Sequence, residues 1–75
     1  MLRKFVAGQV RDVVFSETRD CGGMFDAEVG VWRGSQGFTA YVKDGFGGGI
    51  NSGHHGSEQE ARDDIERLWD KFYGS

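Results

Sequence analysis

Hydrophobic and polar positions alternate through the middle of this chain and change period near its end. Phe25, Ala27, Val29 and Val31 alternate with Asp26, Glu28, Gly30 and Trp32, and Phe38, Ala40 and Val42 alternate with Thr39, Tyr41 and Lys43. A two-residue period sends successive side chains to opposite faces of a sheet, so both stretches are predicted as half-buried strands. Arg33-Gly34-Ser35-Gln36-Gly37 between them reads as a hairpin loop. Asp44-Gly45 reads as a tight two-residue turn into a third strand around Phe46 to Ile50. Gly47, Gly48 and Gly49 have no side chains to pack and lose much backbone entropy, so that strand is expected to be short, bulged or replaced by a loop.

From Ser57 to Tyr73 the period becomes helical. Ala61, Ile65, Leu68, Trp69 and Phe72 fall at i, i+4, i+7, i+8 and i+11, one apolar stripe suited to seat on a sheet. Ser57 is placed to cap the helix while Glu60 reaches back to the cap amide, and Glu58, Glu60, Asp63 and Asp64 put negative charge near the positive end of the dipole. Gly74 is expected to end the helix in the left-handed conformation.

The first segment allows two readings. Leu2, Phe5, Val6, Val10, Val13 and Val14 share a helical face, but the β-branched and aromatic run from Val10 to Phe15, with no N-cap, favours a strand from about Lys4 to Glu17, bent or bulged at Gly8. Arg19-Asp20-Cys21-Gly22-Gly23 is then the turn into the next strand. The predicted fold is α+β: a small antiparallel meander of three to four strands with one C-terminal helix on one face, ββββα, or αβββα if the N-terminal segment is helical.

At 75 residues there is room for one domain with one core. The single Cys21 cannot close an internal disulfide, which fits a reducing cytoplasm. Met1-Leu2-Arg3-Lys4-Phe5-Val6 is followed by Gln9, Arg11 and Asp12, so neither a signal peptide nor a membrane span is expected.

The net charge is −3, and residues 58 to 70 carry six acids against Arg62 and Arg67. Arg62/Glu66 and Asp63/Arg67 are spaced as i,i+4 pairs on a solvated face. Such a face repels a phosphate backbone and is suited to a basic protein partner.

If the inward strand residues are Phe25, Ala27, Val29, Val31, Phe38, Ala40 and Val42, the opposite face carries Glu28, Trp32, Thr39, Tyr41 and Lys43. Trp32 and Tyr41 then either pack on each other in a half-exposed sheet or anchor a partner, which could be a second copy of the chain.

Strand, hairpin, strand, glycine-rich turn and then Ser57-Glu58-Gln59-Glu60-Ala61-Arg62 resembles the end of a double-stranded-RNA-binding domain. The resemblance covers residues 25 to 72 at most and implies three strands followed by a helix, with a further helix at the N-terminus. Ser57, Ala61 and Arg62 match the family's helix start, but Glu58 and Gln59 stand where its phosphate-gripping lysines belong. Carboxylate facing phosphate is repulsive, so the resemblance implies a topology without the binding chemistry.

The glycine run has neither the Lys-Ser/Thr ending of a P-loop nor G-x-G-x-x-G spacing. His54 and His55 lack a spaced third ligand, so no metal or cofactor is expected. Cys21 could meet one of them as a thiol-imidazole pair, but nothing signals an oxyanion hole, and the plainer expectation is an exposed or half-packed thiol.

The sequence therefore points to a non-enzymatic protein-binding module that occludes a partner through Trp32, Tyr41, Glu58, Glu60, Asp63 and Asp64. In size and charge it is similar to small phage or mobile-element inhibitors of host defence complexes, the anti-CRISPR type among them. The alternative is a nucleic-acid-binding domain of the double-stranded-RNA-binding topology, using Arg3, Lys4, Arg11, Arg19, Arg33 and Lys43 on its sheet side.

Overall fold

In a computed structural model, described over residues 2–20, 22 and 25–74, the chain forms one five-stranded antiparallel sheet and a C-terminal helical segment. The strands are β1 (Leu2–Val6), β2 (Gln9–Arg19), β3 (Ala27–Gly34), β4 (Gly37–Lys43) and β5 (Gly49–Asn51), ordered in the sheet as in the sequence. The helices are α1 (Glu58–Asp63) and α2 (Ile65–Tyr73), meeting at Asp64. The α+β class and meander are as predicted, with one strand more than expected.

The extra strand lies at the N-terminus. The segment read as one strand bent at Gly8 is a hairpin, with Leu2 opposite Val13 and Val6 opposite Gln9. Its turn, Ala7-Gly8, has positive φ at both residues (53° and 82°), the combination whose twist matches a two-residue hairpin. Among the described residues the N-terminal helix implied by the RNA-binding resemblance is absent, and what remains in common is strand, strand, strand, helix.

Alternation in β3 and β4 divides the sheet as expected. Val29 pairs with Val42 and Val31 with Ala40, and all four face the helices. With Ala61, Ile65 and Leu68 they form the main core, flanked by Val14, Phe15, Phe38, Ile50, Trp69 and Phe72. Each fully buried aliphatic side chain contributes roughly 2 kcal/mol, so the helical stripe and the valine rows account for most of the apolar stabilisation. Phe25 is the exception: it precedes β3 and lies half exposed, edge-on to the Phe46 ring at 5.0 Å. Cys21, Gly23 and Met24 fall outside the described residues, so the sequence expectations for Cys21 and its turn lie there too.

Three local details differ from the sequence reading. Asp44 opens a longer loop, its Oδ1 accepting from the amides of Phe46 (2.8 Å) and Gly48 (2.9 Å), which delays β5 to Gly49. Carboxylate bonds to amides further along the chain stabilise such a turn without a regular hairpin geometry. The helix is not continuous, because at Asp64 the amide is shared between the carbonyls of Glu60 (3.3 Å) and Ala61 (3.1 Å), splitting it into α1 and α2. Gly74 is extended (φ −73°, ψ 158°) rather than left-handed, with its amide still bonded to Asp70 O at 2.7 Å.

Candidate functional site

Trp32 and Tyr41 lie on the sheet face away from the helices, as the alternation requires, but they are buried, 5 % and 1 % exposed. The expectation of an exposed aromatic surface is corrected by the β1–β2 hairpin. β2 slips register between Val13 and Phe15, an irregularity that bends and twists a strand. Beyond it the hairpin folds back across the open face, bringing Lys4 Nζ to Glu28 (3.2 Å) and Phe5 O to Lys43 Nζ (3.3 Å). Val6 and Val13 thereby close a second core over Trp32 and Tyr41, whose rings stack at 5.7 Å. Gly30 makes room for this arrangement, since a Cβ there would meet Tyr41 Oη at 2.7 Å.

The Tyr41 hydroxyl donates to the Glu28 carboxylate, which also takes the Lys4 ammonium. Burial pushes the Tyr41 phenol well above its ordinary range, and the Glu28 contact adds to the effect. This triad ties the hairpin to the sheet and keeps the phenol protonated. It is a structural latch rather than an acid-base pair poised near neutrality.

The two histidines turn to opposite sides. After β5, Ser52 Oγ accepts from Ala40 N (2.9 Å), and His55 pairs with Phe38 through backbone bonds of 2.9 and 2.7 Å, so the chain stays against β4. Gly37 permits this approach, because a Cβ there would sit 2.3 Å from His55 O. His54 Nδ1 lies 3.2 Å from Thr39 Oγ1 on the hairpin side, whereas His55 Nε2 lies 3.0 Å from Asp64 Oδ2 on the helix side. The His54-His55 junction thus separates two surfaces of opposite charge.

On the helix side, His55, Glu60, Asp63 and Asp64 line an open depression of about 330 Å³. Ser57 caps α1 as predicted, accepting from Glu60 N at 3.2 Å, and Glu60 returns to Gly56 N (3.3 Å) rather than to the cap residue. The predicted Arg62/Glu66 and Asp63/Arg67 pairs are replaced by others. Arg62 reaches Glu58 at 3.7 Å, Glu66 takes Arg19 of β2, and Arg67 forks onto Asp64, with Nη2 donating to Oδ2 at 2.9 Å. The bond from Arg67 holds the Asp64 carboxyl down at about 2 against the opposing effect of burial, with His55 also favouring the ionised form. Asp64, expected on the exposed acidic face, is instead a half-buried knot between His55, Arg67 and the helix break. Glu60 and Asp63 remain without a cation partner among the described residues.

At the hairpin end of the sheet, Arg3, Arg11 and Arg33 line one cleft. Arg3 and Arg33 flank Asp12 in one cross-strand row, and Arg11, at the adjacent position of β2, comes from the opposite strand face, over the Trp32 ring. Together with Trp32, the Ser35-Gln36 turn and His54 they line a cleft of about 360 Å³. The remaining cations of the nucleic-acid alternative are engaged elsewhere: Lys4 by Glu28, Arg19 by Glu17 and Glu66, and Lys43 by a backbone carbonyl. The cleft was not legible beforehand, because Arg3 and Arg33 meet Asp12 only through the register of three strands and Arg11 joins them only by stacking on Trp32.

Among the described residues, no group of three or more His, Cys, Asp or Glu side chains is placed to hold a metal ion, and no helix is long and apolar enough to cross a membrane. No family model, no curated protein and no solved structure matches the chain.

Proposed function

We propose that this chain is a non-enzymatic protein-binding module that occludes a basic partner surface with the acidic side of α1. The observation that carries this reading is the charge left over after internal pairing: Glu58, Asp64 and Glu66 each have a cation, while Glu60 and Asp63, one turn apart beside the open depression, have none among the described residues. Solvent-facing carboxylates that carry hydrogen bonds but no ion pair steer and orient a cationic partner without first breaking an internal salt bridge. Trp32 and Tyr41 take no part, since both are covered by the hairpin. The small size and acidic balance also fit the narrower class of phage or mobile-element inhibitors of host defence complexes, the anti-CRISPR type, and a cytoplasmic setting.

The test is capture from a host lysate by the immobilised chain beside its Glu60→Lys/Asp63→Lys variant, each captured protein then being purified and its affinity measured. A direct partner is expected to bind the variant at least about tenfold more weakly, a loss of about 1.4 kcal/mol. Equal affinity for both forms removes α1 as the surface. Submicromolar, salt-sensitive binding of duplex RNA or DNA would place the nucleic-acid alternative first.

A further inference from the structure

We propose that the cleft between the β1–β2 hairpin and the Ser35-Gln36 turn binds a phosphate-type dianion. Arg3, Arg11, Arg33 and Asp12 are among its lining residues, a formal excess of two positive charges. Arg11 is held ready: its Nε donates to Val6 O (3.0 Å), its Nη2 to Ala7 O (3.3 Å), and the guanidinium lies 4.2 Å from the centre of the Trp32 ring. A guanidinium fixed by stacking and backbone carbonyls loses little entropy on meeting an oxyanion, and among the described residues no carboxylate pairs with it. Arg33 is exposed and makes no ion pair among the described residues, and Arg3 holds Asp12 only at 3.6 Å.

The arrangement selects among anions. A monocarboxylate offers the cleft no more than Asp12 already supplies, whereas a dianion matches the excess charge and can take forked bonds from more than one arginine. A duplex backbone needs cations spaced along a track, but here three line a single cleft while Lys4 and Arg19 are paired off. The cleft lies across the His54-His55 junction from Glu60 and Asp63, so this inference does not depend on the partner-binding reading.

Inorganic phosphate titrated at constant ionic strength into the isotope-labelled full chain, followed at the Trp32 indole N–H and the Arg11 and Arg33 Nε–H signals, tests the site. Saturable shifts in the millimolar range are expected, with acetate at least several-fold weaker. Because Arg11 also covers the second core, Arg33→Gln carries the decision: its spectrum should remain native while the Kd for phosphate rises about tenfold. Asp12→Asn should tighten binding by removing a like charge. Shifts that grow linearly without saturation, acetate equal to phosphate, or an unchanged Kd in Arg33→Gln would each overturn the proposal. So would duplex RNA that moves the same signals at lower phosphate concentration than the free ion.

Discussion

On the helix side of the sheet, the core is made of short aliphatic side chains from β3 and β4 meeting a regular stripe on α1 and α2. On the other side it is made of two rings and two valines, closed by a hairpin that folds back on its own sheet. The first core joins elements whose apolar faces are each continuous and recognisable alone. The second is closed by a hairpin that turns inward next to an irregularity in β2, and Lys4, Glu28 and Tyr41 latch it. A small domain can thus cover a second sheet face without another helix, at the cost of resting that face on a few large side chains.

Substitutions at the two cores measure how unequal they are. Trp32→Ala is expected to have the largest effect, a loss of about 3 to 5 kcal/mol, since it removes the stacking partner of Tyr41 and the platform for Arg11 together. Denaturant unfolding checks it, and a near-unchanged midpoint would mean that the hairpin does not seal the second core in solution. Leu68→Ala on the helix side should cost about 2 to 5 kcal/mol by leaving a cavity among Val29, Val31 and Ile65, and a change within about 0.5 kcal/mol would take the stripe out of the core.

Acid weakens the helix side at one identifiable place. Because the Asp64 carboxyl is held at about 2, below its ordinary 3.8, its contribution is fully present above pH 4 and is lost as pH falls toward 2. Asp64→Asn should therefore lose roughly 1 to 2 kcal/mol at neutral pH and show a flatter stability curve between pH 4 and 2. Parallel curves for the two proteins would show that the Arg67 and His55 contacts do not favour ionised Asp64 in solution. The smallest effect expected is a gain: Ala7 sits at φ 53°, which costs a residue with a Cβ, so Ala7→Asn should stabilise the hairpin by up to about 1 kcal/mol. Hydrogen exchange at the β1 and β2 amides would register it as slower opening confined to that hairpin.

The sequence by itself determined the local elements. The two-residue period of Ala27 to Val31 and Phe38 to Val42 specified which side chains share a face, the 3.6-residue period specified the helical stripe, and Ser57 specified where the helix begins, because these properties depend on neighbours within a few residues. Only the tertiary structure decided what covers each face. Trp32 and Tyr41 sit on the predicted side, but their burial depends on where β2 bends and how far the hairpin travels, contacts between residues as distant as Lys4 and Glu28. Strand register sets Arg3 and Arg33 beside Asp12 and the second core holds Arg11 over Trp32 at the same cleft, while the close passage of His55 along β4 sends the two histidines apart. Periodicity gives the direction of a side chain from its backbone, whereas exposure and charge balance depend on what else the fold brings within a few ångströms.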